Sequence, residues 1–181
     1  SLACVKAVDM SKVNRIMDIG TGAGFPGVPL KIAFPHLEAC LLDSLKKRVN
    51  FLEETFQLLK LENITAIHGR AEEFAKNKAY RETYDLCVSR AVSNLATLSE
   101  YCLPYVKTGG FFISYKSGTV QEEVEQAQKA VKILGGKIQD VVYFQLPDSE
   151  IQRSLVVIEK IKATPGRYPR KAGTPLKEPL S

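Results

Sequence analysis

The chain has 181 residues, of which 45% are hydrophobic, so it can bury one core and is expected to form one principal domain. No apolar stretch is long enough for a membrane span or a signal-peptide core. Four dispersed cysteines without a C-x-x-C pair, and two isolated histidines, predict reduced thiols in a cytoplasmic protein and no metal site. The net charge of +5 lies entirely in residues 160–181, because residues 1–159 carry 19 basic and 19 acidic residues. This excess indicates either a polyanionic partner or a solvated terminus.

Strand and helix patterns alternate along the chain. Five strands are predicted at residues 14–19, 38–43, 64–68, 84–89 and 111–115. Five helices are predicted at residues 28–34, 45–61, 71–78, 94–106 and 120–134. The Gly109-Gly110 pair is expected to break the chain before the fifth strand. Two last strands, at residues 138–146 and 154–161, have no helix between them, which is typical of an antiparallel hairpin.

This order of elements predicts an α/β fold: a doubly wound, mostly parallel seven-stranded sheet that ends in a C-terminal antiparallel hairpin. A dinucleotide-binding fold usually continues as β-α to its final strand, whereas the Rossmann-like methyltransferase sheet ends in such a hairpin. Residues 163–181 are rich in Pro, Gly, Lys and Arg, and they are expected to form a tail without regular elements. We therefore predict a domain at residues 1–162 and a basic tail at residues 163–181.

The loop after the first predicted strand, M-D-I-G-T-G-A-G-F-P-G, fits two patterns. Gly20, Gly22 and Gly24 after Asp18 spell D-x-G-x-G-x-G, which is typical of S-adenosylmethionine sites. Gly22 and Gly24 with Gly27 spell the dinucleotide pattern G-x-G-x-x-G. The glycines let the backbone approach a ligand in either case, so the pattern by itself leaves both cofactors open.

Two carboxylates bear on the choice of cofactor. Asp18 ends the first strand, where it can face the ammonium group of S-adenosylmethionine but would repel a pyrophosphate. Asp43 ends the second strand and can accept hydrogen bonds from ribose hydroxyls of either cofactor. Asp18 and the terminal hairpin therefore favour S-adenosylmethionine, and the match of Gly27 to the dinucleotide pattern is interpreted as incidental.

The methyl acceptor is inferred by elimination. The fourth strand ends in S-R-A-V, residues 89–92. The chain has no D/N-P-P-Y tetrapeptide, which is typical of enzymes that methylate exocyclic amino groups of bases. Cys87 in a strand and Cys102 in a helix are expected to be buried, so neither is a candidate nucleophile for pyrimidine C5. A guanine N7 fits, because its lone pair carries no proton to remove.

Three basic residues are predicted to lie at strand ends on the same edge of the sheet. Arg90 ends the fourth strand and is the candidate catalytic residue, with a surface ion pair to a nearby acid such as Asp85 as the alternative. Lys116 follows the fifth strand and Arg153 enters the seventh, and both are candidates to contact RNA phosphates.

Several stretches resemble one family over nearly the whole chain: D-I-G-T-G-A-G-F-P-G-V-P-L, L-L-D-S-L-K-K-R-V-N-F-L-E-E, D-L-C-V-S-R-A-V and the terminal R-K-A-G-T-P-L-K-E-P-L. The sequence is similar to the bacterial small-subunit ribosomal RNA guanine-N7 methyltransferases, also called glucose-inhibited division protein B. Family members normally have an N-terminal helical segment before the Ser-Leu at which this chain begins, so a missing segment is expected.

The resemblance implies methyl transfer from S-adenosylmethionine to N7 of a guanine in 16S ribosomal RNA. The partner would be that RNA or the small ribosomal subunit, with no membrane and no metal, and the protein is expected to be a monomer. The implied cofactor contacts are Gly20, Phe25, Asp43, Ala71, Glu72 and Arg90. The implied RNA contacts are Arg90, Lys116, Arg153, Arg170 and Lys171. The alternatives are an NAD-linked oxidoreductase and an RNA-binding module with a vestigial pocket.

Overall fold

The computed structural model describes residues 1–90 and 93–181, which form one seven-stranded sheet with helices on both faces. The strands are β1 (Arg15–Ile19), β2 (Glu38–Asp43), β3 (Ile64–His68), β4 (Tyr84–Ser89), β5 (Val106–Ser117), β6 (Gly136–Gln145) and β7 (Gln152–Lys160). The helices are α1 (Gly27–Ala33), α2 (Lys46–Leu58), α3 (Ala71–Phe74), α4 (Leu95–Cys102), α5 (Gln121–Ile133) and α6 (Thr174–Lys177).

The strand order is β3-β2-β1-β4-β5-β7-β6. Strands β1 to β5 are parallel, and β7 runs antiparallel between β5 and β6. The predicted fold class, with its C-terminal hairpin, is therefore confirmed. The strand order reverses between β1 and β4, and ligands of open α/β sheets bind outside the carboxyl ends of the strands at this point.

The central strands are buried on both faces, because helices cover each side of the sheet. Ile16 and Met17, neighbours in β1, are 1% and 0% exposed and belong to different hydrophobic clusters. The Ile16 cluster includes Val28 of α1 and Leu52 of α2, and the Met17 cluster includes residues of α3, α4 and α5. No helix among the described residues is long and apolar enough to cross a membrane.

The segment around β5 departs from the sequence prediction. Pro104 lies in a short 3-10 turn, Leu103–Tyr105, so the predicted helix over residues 94–106 ends early. The expected chain break at Gly109-Gly110 is wrong, because β5 starts at Val106 and continues through both glycines. A Cβ on Gly110 would lie 2.5 Å from the Asp85 carbonyl oxygen, so the glycine permits a close approach between β4 and β5.

The interpretation of residues 163–181 as a tail without regular elements is also wrong. The segment contains α6, and the side chains of Thr164, Tyr168 and Pro175 are buried. Lys160, one of the six basic residues in the charge excess, is 0% exposed and pairs with Glu82 at 2.9 Å. The basic C-terminus is therefore partly an internal, packed structure, and the division of the chain at residue 162 stays a prediction.

Candidate active site

Asp18 lies at the centre of the switch point and is 1% exposed. Its Oδ2 atom accepts hydrogen bonds from the Thr21 hydroxyl and the Gly27 backbone N–H, each at 2.8 Å. Its Oδ1 atom is buried and has no hydrogen-bond partner among the described residues. Burial raises the pKa of Asp18 to about 6, against the opposing effect of those hydrogen bonds and of the Arg90 charge. The carboxylate therefore has one acceptor atom to offer to a cationic group.

The glycine loop wraps over Asp18 because two glycines allow close contact. Gly24 has a φ of +94°, and a Cβ there would meet the Val28 side chain at 2.6 Å. A Cβ on Gly27 would lie 2.8 Å from Oδ2 of Asp18 and 2.9 Å from Leu41. Gly27 therefore has a packing role, since α1 can begin beside Asp18 only with a glycine at this position. This role needs no dinucleotide, so it gives no support to the dinucleotide interpretation of the pattern.

Asp43 connects the loop to β2 and α2. Its side chain is 3% exposed, and Oδ2 accepts from the Gly22 N–H at 2.9 Å and from Arg48 at 3.3 Å. Among the described residues, its Oδ1 atom accepts only the Leu45 N–H, at 2.9 Å. A carboxylate oxygen can accept a second hydrogen bond, so Asp43 can hold the loop and also accept from a ribose hydroxyl, and the ribose contact stays a prediction.

The first turn of α3 follows β3 at the same edge. Ala71 and Glu72 are 7% and 3% exposed, and Glu72 Oε1 accepts the Gly173 N–H at 2.8 Å. The structure does not support a cofactor contact through this oxygen, because it holds the C-terminal segment. A contact through the backbone of Ala71 and Glu72, whose N–H groups lie in a first helical turn, stays a prediction.

Arg90 and Phe25 form the contact between the glycine loop and the end of β4. The guanidinium lies 5.3 Å from the centre of the Phe25 ring, and both side chains are exposed. The alternative pairing of Arg90 with Asp85 is wrong, because Asp85 pairs with Lys107 at the other end of the strand. Ala91 and Val92 of the S-R-A-V segment lie outside the described residues.

A cleft of about 640 Å³ lies beyond Arg90, at the carboxyl end of β5. Its walls include two aromatic side chains, two basic side chains and one ion pair. The aromatic residues are Tyr115 and Phe144, the basic residues are Arg90 and Arg153, and the ion pair is Lys116–Glu123. The volume is in the range of small-molecule sites, so the cleft has room for a nucleotide.

The two predicted RNA contacts at the cleft differ. Lys116 is 10% exposed, and its amino group donates to the Ser93 carbonyl at 2.8 Å and pairs with Glu123 at 2.6 Å. The structure therefore does not support a contact of Lys116 with RNA phosphates. Arg153 lies opposite Ser117 in the β5–β7 pair, on the cleft wall, and its RNA contact stays a prediction.

The two predicted RNA contacts in the C-terminal segment also differ. The Arg170 guanidinium donates to the buried Glu100 carboxylate at 2.7 to 3.1 Å, and the structure therefore does not support its predicted contact with RNA. Lys171 is exposed and has no ion pair among the described residues, so its RNA contact stays a prediction.

All four cysteines are buried free thiols, Cys4, Cys40, Cys87 and Cys102. Burial raises the pKa of the Cys87 thiol in β4 well above its ordinary value, so this sulfur is a poor nucleophile. Within residues 1–90 and 93–181 no cluster of His, Cys, Asp or Glu is placed to hold a metal ion.

Sequence reasoning missed two residues of the site. Thr21 is 3% exposed and donates to Asp18, and its position between two loop glycines carries no signal of that bond. Gly27 did carry a signal, because the third glycine of G-x-G-x-x-G is the one that permits close packing of helix and strand.

The strand order, the terminal hairpin and the acidic residue beneath a glycine loop define the class of protein as a Rossmann-like methyltransferase. Solved structures support this fold. StiE O-MT, residues 961–1257, aligns with a TM-score of 0.69 at 18% identity over 91% of this chain and 74% of that one. Pyrococcus horikoshii TYW2 in complex with MeSAdo aligns with a TM-score of 0.67 at 16% identity over 90% of this chain and 64% of that one.

The family comparison is more specific. The model of the GidB family, described as rRNA small subunit methyltransferase G, matches residues 1–156. The protein named ribosomal RNA small subunit methyltransferase G from Lachnoclostridium phytofermentans is 54% identical over 99% of this chain and 74% of its own length. The protein of the same name from Desulforamulus reducens is 52% identical over 100% of this chain and 75% of its own length.

The chain belongs to the GidB family of rRNA small subunit methyltransferases. The resemblance stated from the sequence and the predicted class of enzyme are confirmed. The comparisons do not favour the NAD-linked oxidoreductase or the RNA-binding module.

Proposed function

We propose that this chain transfers a methyl group from S-adenosylmethionine to N7 of a guanine in 16S ribosomal RNA. The observation that carries the proposal is the Arg90–Phe25 contact, because it joins the loop above Asp18 to the nucleotide-sized cleft at β5. Family membership supports the RNA substrate, and such a substrate would place the protein in the cytoplasm.

The residues beneath the glycine loop fit S-adenosylmethionine. The free Oδ1 of Asp18 suits an ammonium group, and the second acceptor position on Oδ1 of Asp43 suits a ribose hydroxyl. A pyrophosphate would bring negative charge toward both buried carboxylates. Bound S-adenosylmethionine supplies an electrophilic methyl group on a sulfonium centre.

The residues around the cleft define what the protein itself must do. No described cysteine is exposed, which favours direct transfer without a covalent enzyme intermediate. Guanine N7 needs no general base, so positioning and exclusion of water are the required contributions. Arg90 would hold the acceptor nucleotide against the cofactor loop, with Phe144 and Arg153 also lining the cleft.

The decisive experiment is methyl transfer from radiolabelled S-adenosylmethionine to small ribosomal subunits that lack the modification, followed by mapping of the labelled base. We expect one labelled guanine, at N7. Label on an exocyclic amine, or none on the ribosomal RNA, would contradict the proposed reaction. Naked 16S RNA is the parallel substrate that separates free RNA from the assembled particle.

Ligand-dependent thermal unfolding tests the cofactor separately. S-adenosylhomocysteine at about 100 times its Kd is expected to stabilise the protein by about 3 kcal/mol, whereas NADH should leave the unfolding temperature unchanged. A shift with NADH alone would eliminate S-adenosylmethionine as the cofactor.

The charge of Asp18 predicts a pH dependence of cofactor binding. An ammonium group beside Oδ1 favours the carboxylate, and the pKa of Asp18 in the free protein is about 6. The affinity for S-adenosylhomocysteine should therefore fall about tenfold as the pH is lowered from about 7.5 to about 5, as measured by titration calorimetry. Asp18→Asn keeps an acceptor for Thr21 and Gly27, and it should bind weakly with no pH dependence in this window.

Stability of the free protein should change in the opposite direction. Because the pKa of Asp18 is raised above its ordinary value of 3.8, this group stabilises the fold below about pH 4. That contribution is lost as the pH rises through about 6. As the pH rises from about 4 to about 6, the free energy of unfolding of the free wild-type protein should therefore fall relative to that of Asp18→Asn. An identical pH profile for the two proteins would contradict the buried ionisation of Asp18.

A further inference from the structure

Residues 163–178, which we call the strap, are held against the body by a buried ion pair. Glu100 in α4 is 1% exposed, and its carboxylate accepts the Arg170 backbone N–H at 2.8 Å and the guanidinium at 2.7 to 3.1 Å. The same guanidinium donates to the Glu178 carbonyl at 2.7 Å. Arg170 therefore joins residues 170 and 178 of the strap to α4.

A second anchor joins the strap to α3. Glu72 Oε1 accepts the Gly173 N–H at 2.8 Å, and Gly173, with a φ of +85°, directly precedes α6. The Thr97 hydroxyl of α4 donates to the Pro175 carbonyl at 2.9 Å. The start of α6 is thus bonded to both α3 and α4.

The first half of the strap is held by Arg81, which donates to the carbonyls of Thr164 and Tyr168 at 2.8 and 2.9 Å. Helix α3 has only four residues, and a helix of that length is not stable by itself. Its position therefore depends on tertiary contacts, and the Glu72–Gly173 bond is one of them.

We propose that the strap is a positioning element for cofactor binding, and that Glu100 and Arg170 are positioning residues that act through Glu72 and α3. The inference rests on the proposed function, because it takes the first turn of α3, which carries the implied cofactor contacts Ala71 and Glu72, as one wall of the S-adenosylmethionine pocket. It replaces the sequence-based interpretation of Arg170 as an RNA contact. Loss of the forked Arg170–Glu100 contact should loosen α3 and weaken cofactor binding without changing the acceptor cleft, which has no strap residue in its walls.

Arg170→Lys is the informative variant, because it keeps the charge beside Glu100 but loses the planar fork of donors. We expect the Kd for S-adenosylhomocysteine and the KM for S-adenosylmethionine to rise about tenfold, with kcat at saturating cofactor unchanged. Affinity for the small ribosomal subunit, and its salt dependence, should equal those of the wild type. If Arg170→Lys fails to fold, the paired variant Glu100→Gln with Arg170→Met removes both charges together. It is expected to give the same result: a raised Kd and KM for the cofactor, with kcat unchanged.

Lys171→Ala is the matched control, because this neighbouring lysine is exposed and makes no described ion pair. It should leave cofactor affinity unchanged, and any loss should appear only in RNA affinity and its salt slope. A folded Arg170 variant with wild-type cofactor affinity would overturn the positioning role. Absence of S-adenosylhomocysteine binding by the wild-type protein would instead overturn the proposed function.

Hydrogen exchange separates positioning from a purely structural role. If the strap and the pocket are coupled, cofactor binding must stabilise the strap to the same degree that the strap stabilises the cofactor. S-adenosylhomocysteine should therefore slow amide exchange in residues 163–178 of the wild type, and Arg170→Lys should reduce that protection about tenfold. Strap exchange that does not respond to the ligand would contradict the coupling.

Discussion

Replacement of Arg90 by alanine is expected to lower kcat/KM for methylation of small ribosomal subunits by about 100-fold or more. The expected loss is large because Arg90 lies between the glycine loop and the cleft, with its guanidinium 5.3 Å from the Phe25 ring. Its removal takes a cation from the cleft wall and the guanidinium from the Phe25 ring. Single-turnover kinetics with saturating cofactor would measure the effect on the chemical step.

Arg90 is also an implied cofactor contact, so S-adenosylhomocysteine should bind Arg90→Ala more weakly, but by much less than the loss of turnover, because Asp18 and Asp43 are untouched. Arg167→Ala is the matched control, since the Arg167 guanidinium lies 5.1 Å from the centre of the Tyr168 ring but does not line the cleft. Because Arg167 belongs to the strap, the comparison uses saturating cofactor, where this variant should retain the wild-type rate. Normal turnover by Arg90→Ala would show that this arginine is not part of the catalytic site.

Replacement of Gly27 by alanine is expected to lower the free energy of unfolding by about 2 kcal/mol, although alanine is the better helix former. The new Cβ would lie 2.8 Å from Oδ2 of Asp18 and 2.9 Å from Leu41, which is 0% exposed. Both neighbours are buried side chains, so each would have to shift within packed surroundings. Because the carboxylate is displaced, the affinity for S-adenosylhomocysteine should also fall by at least about tenfold.

Gly166→Ala provides the control for the Gly27 substitution. A Cβ at residue 166 would meet no atom within 4 Å, so its unfolding free energy should match or slightly exceed that of the wild type. Urea denaturation of both variants measures the difference. Equal stability of Gly27→Ala and wild type would mean that α1 does not need its close approach to Asp18.

Much of the fold could be predicted because periodicity and turn residues act locally. In α2 the pattern of Val49, Leu52 and Phe56 predicts a buried face, and all three residues are buried. The end of the same helix was not predictable, because Leu59 continues the pattern yet is 51% exposed. Whether an apolar residue at a helix end is covered depends on distant parts of the chain.

The glycine loop and Asp18 could also be recognised in the sequence, because close approach of backbone to ligand requires glycines next to a strand end. The local pattern could not reveal that Oδ2 of Asp18 is taken by Thr21 and Gly27 while Oδ1 is left free. Nor could it reveal that Gly109-Gly110 continues a strand, because that depends on the neighbouring carbonyl of Asp85.

The order of strands and helices, the glycine loop, its acidic residue and the family all follow from short-range patterns in the sequence. The roles of the charged residues were decided only by the tertiary structure. Lys116, Lys160 and Arg170 are indistinguishable from surface cations in the sequence, yet each pairs with a carboxylate from another element. The sequence shows that each residue is charged. It does not show which carboxylate lies within 3 Å, because the partners are 7 to 78 positions away and meet only in the folded chain.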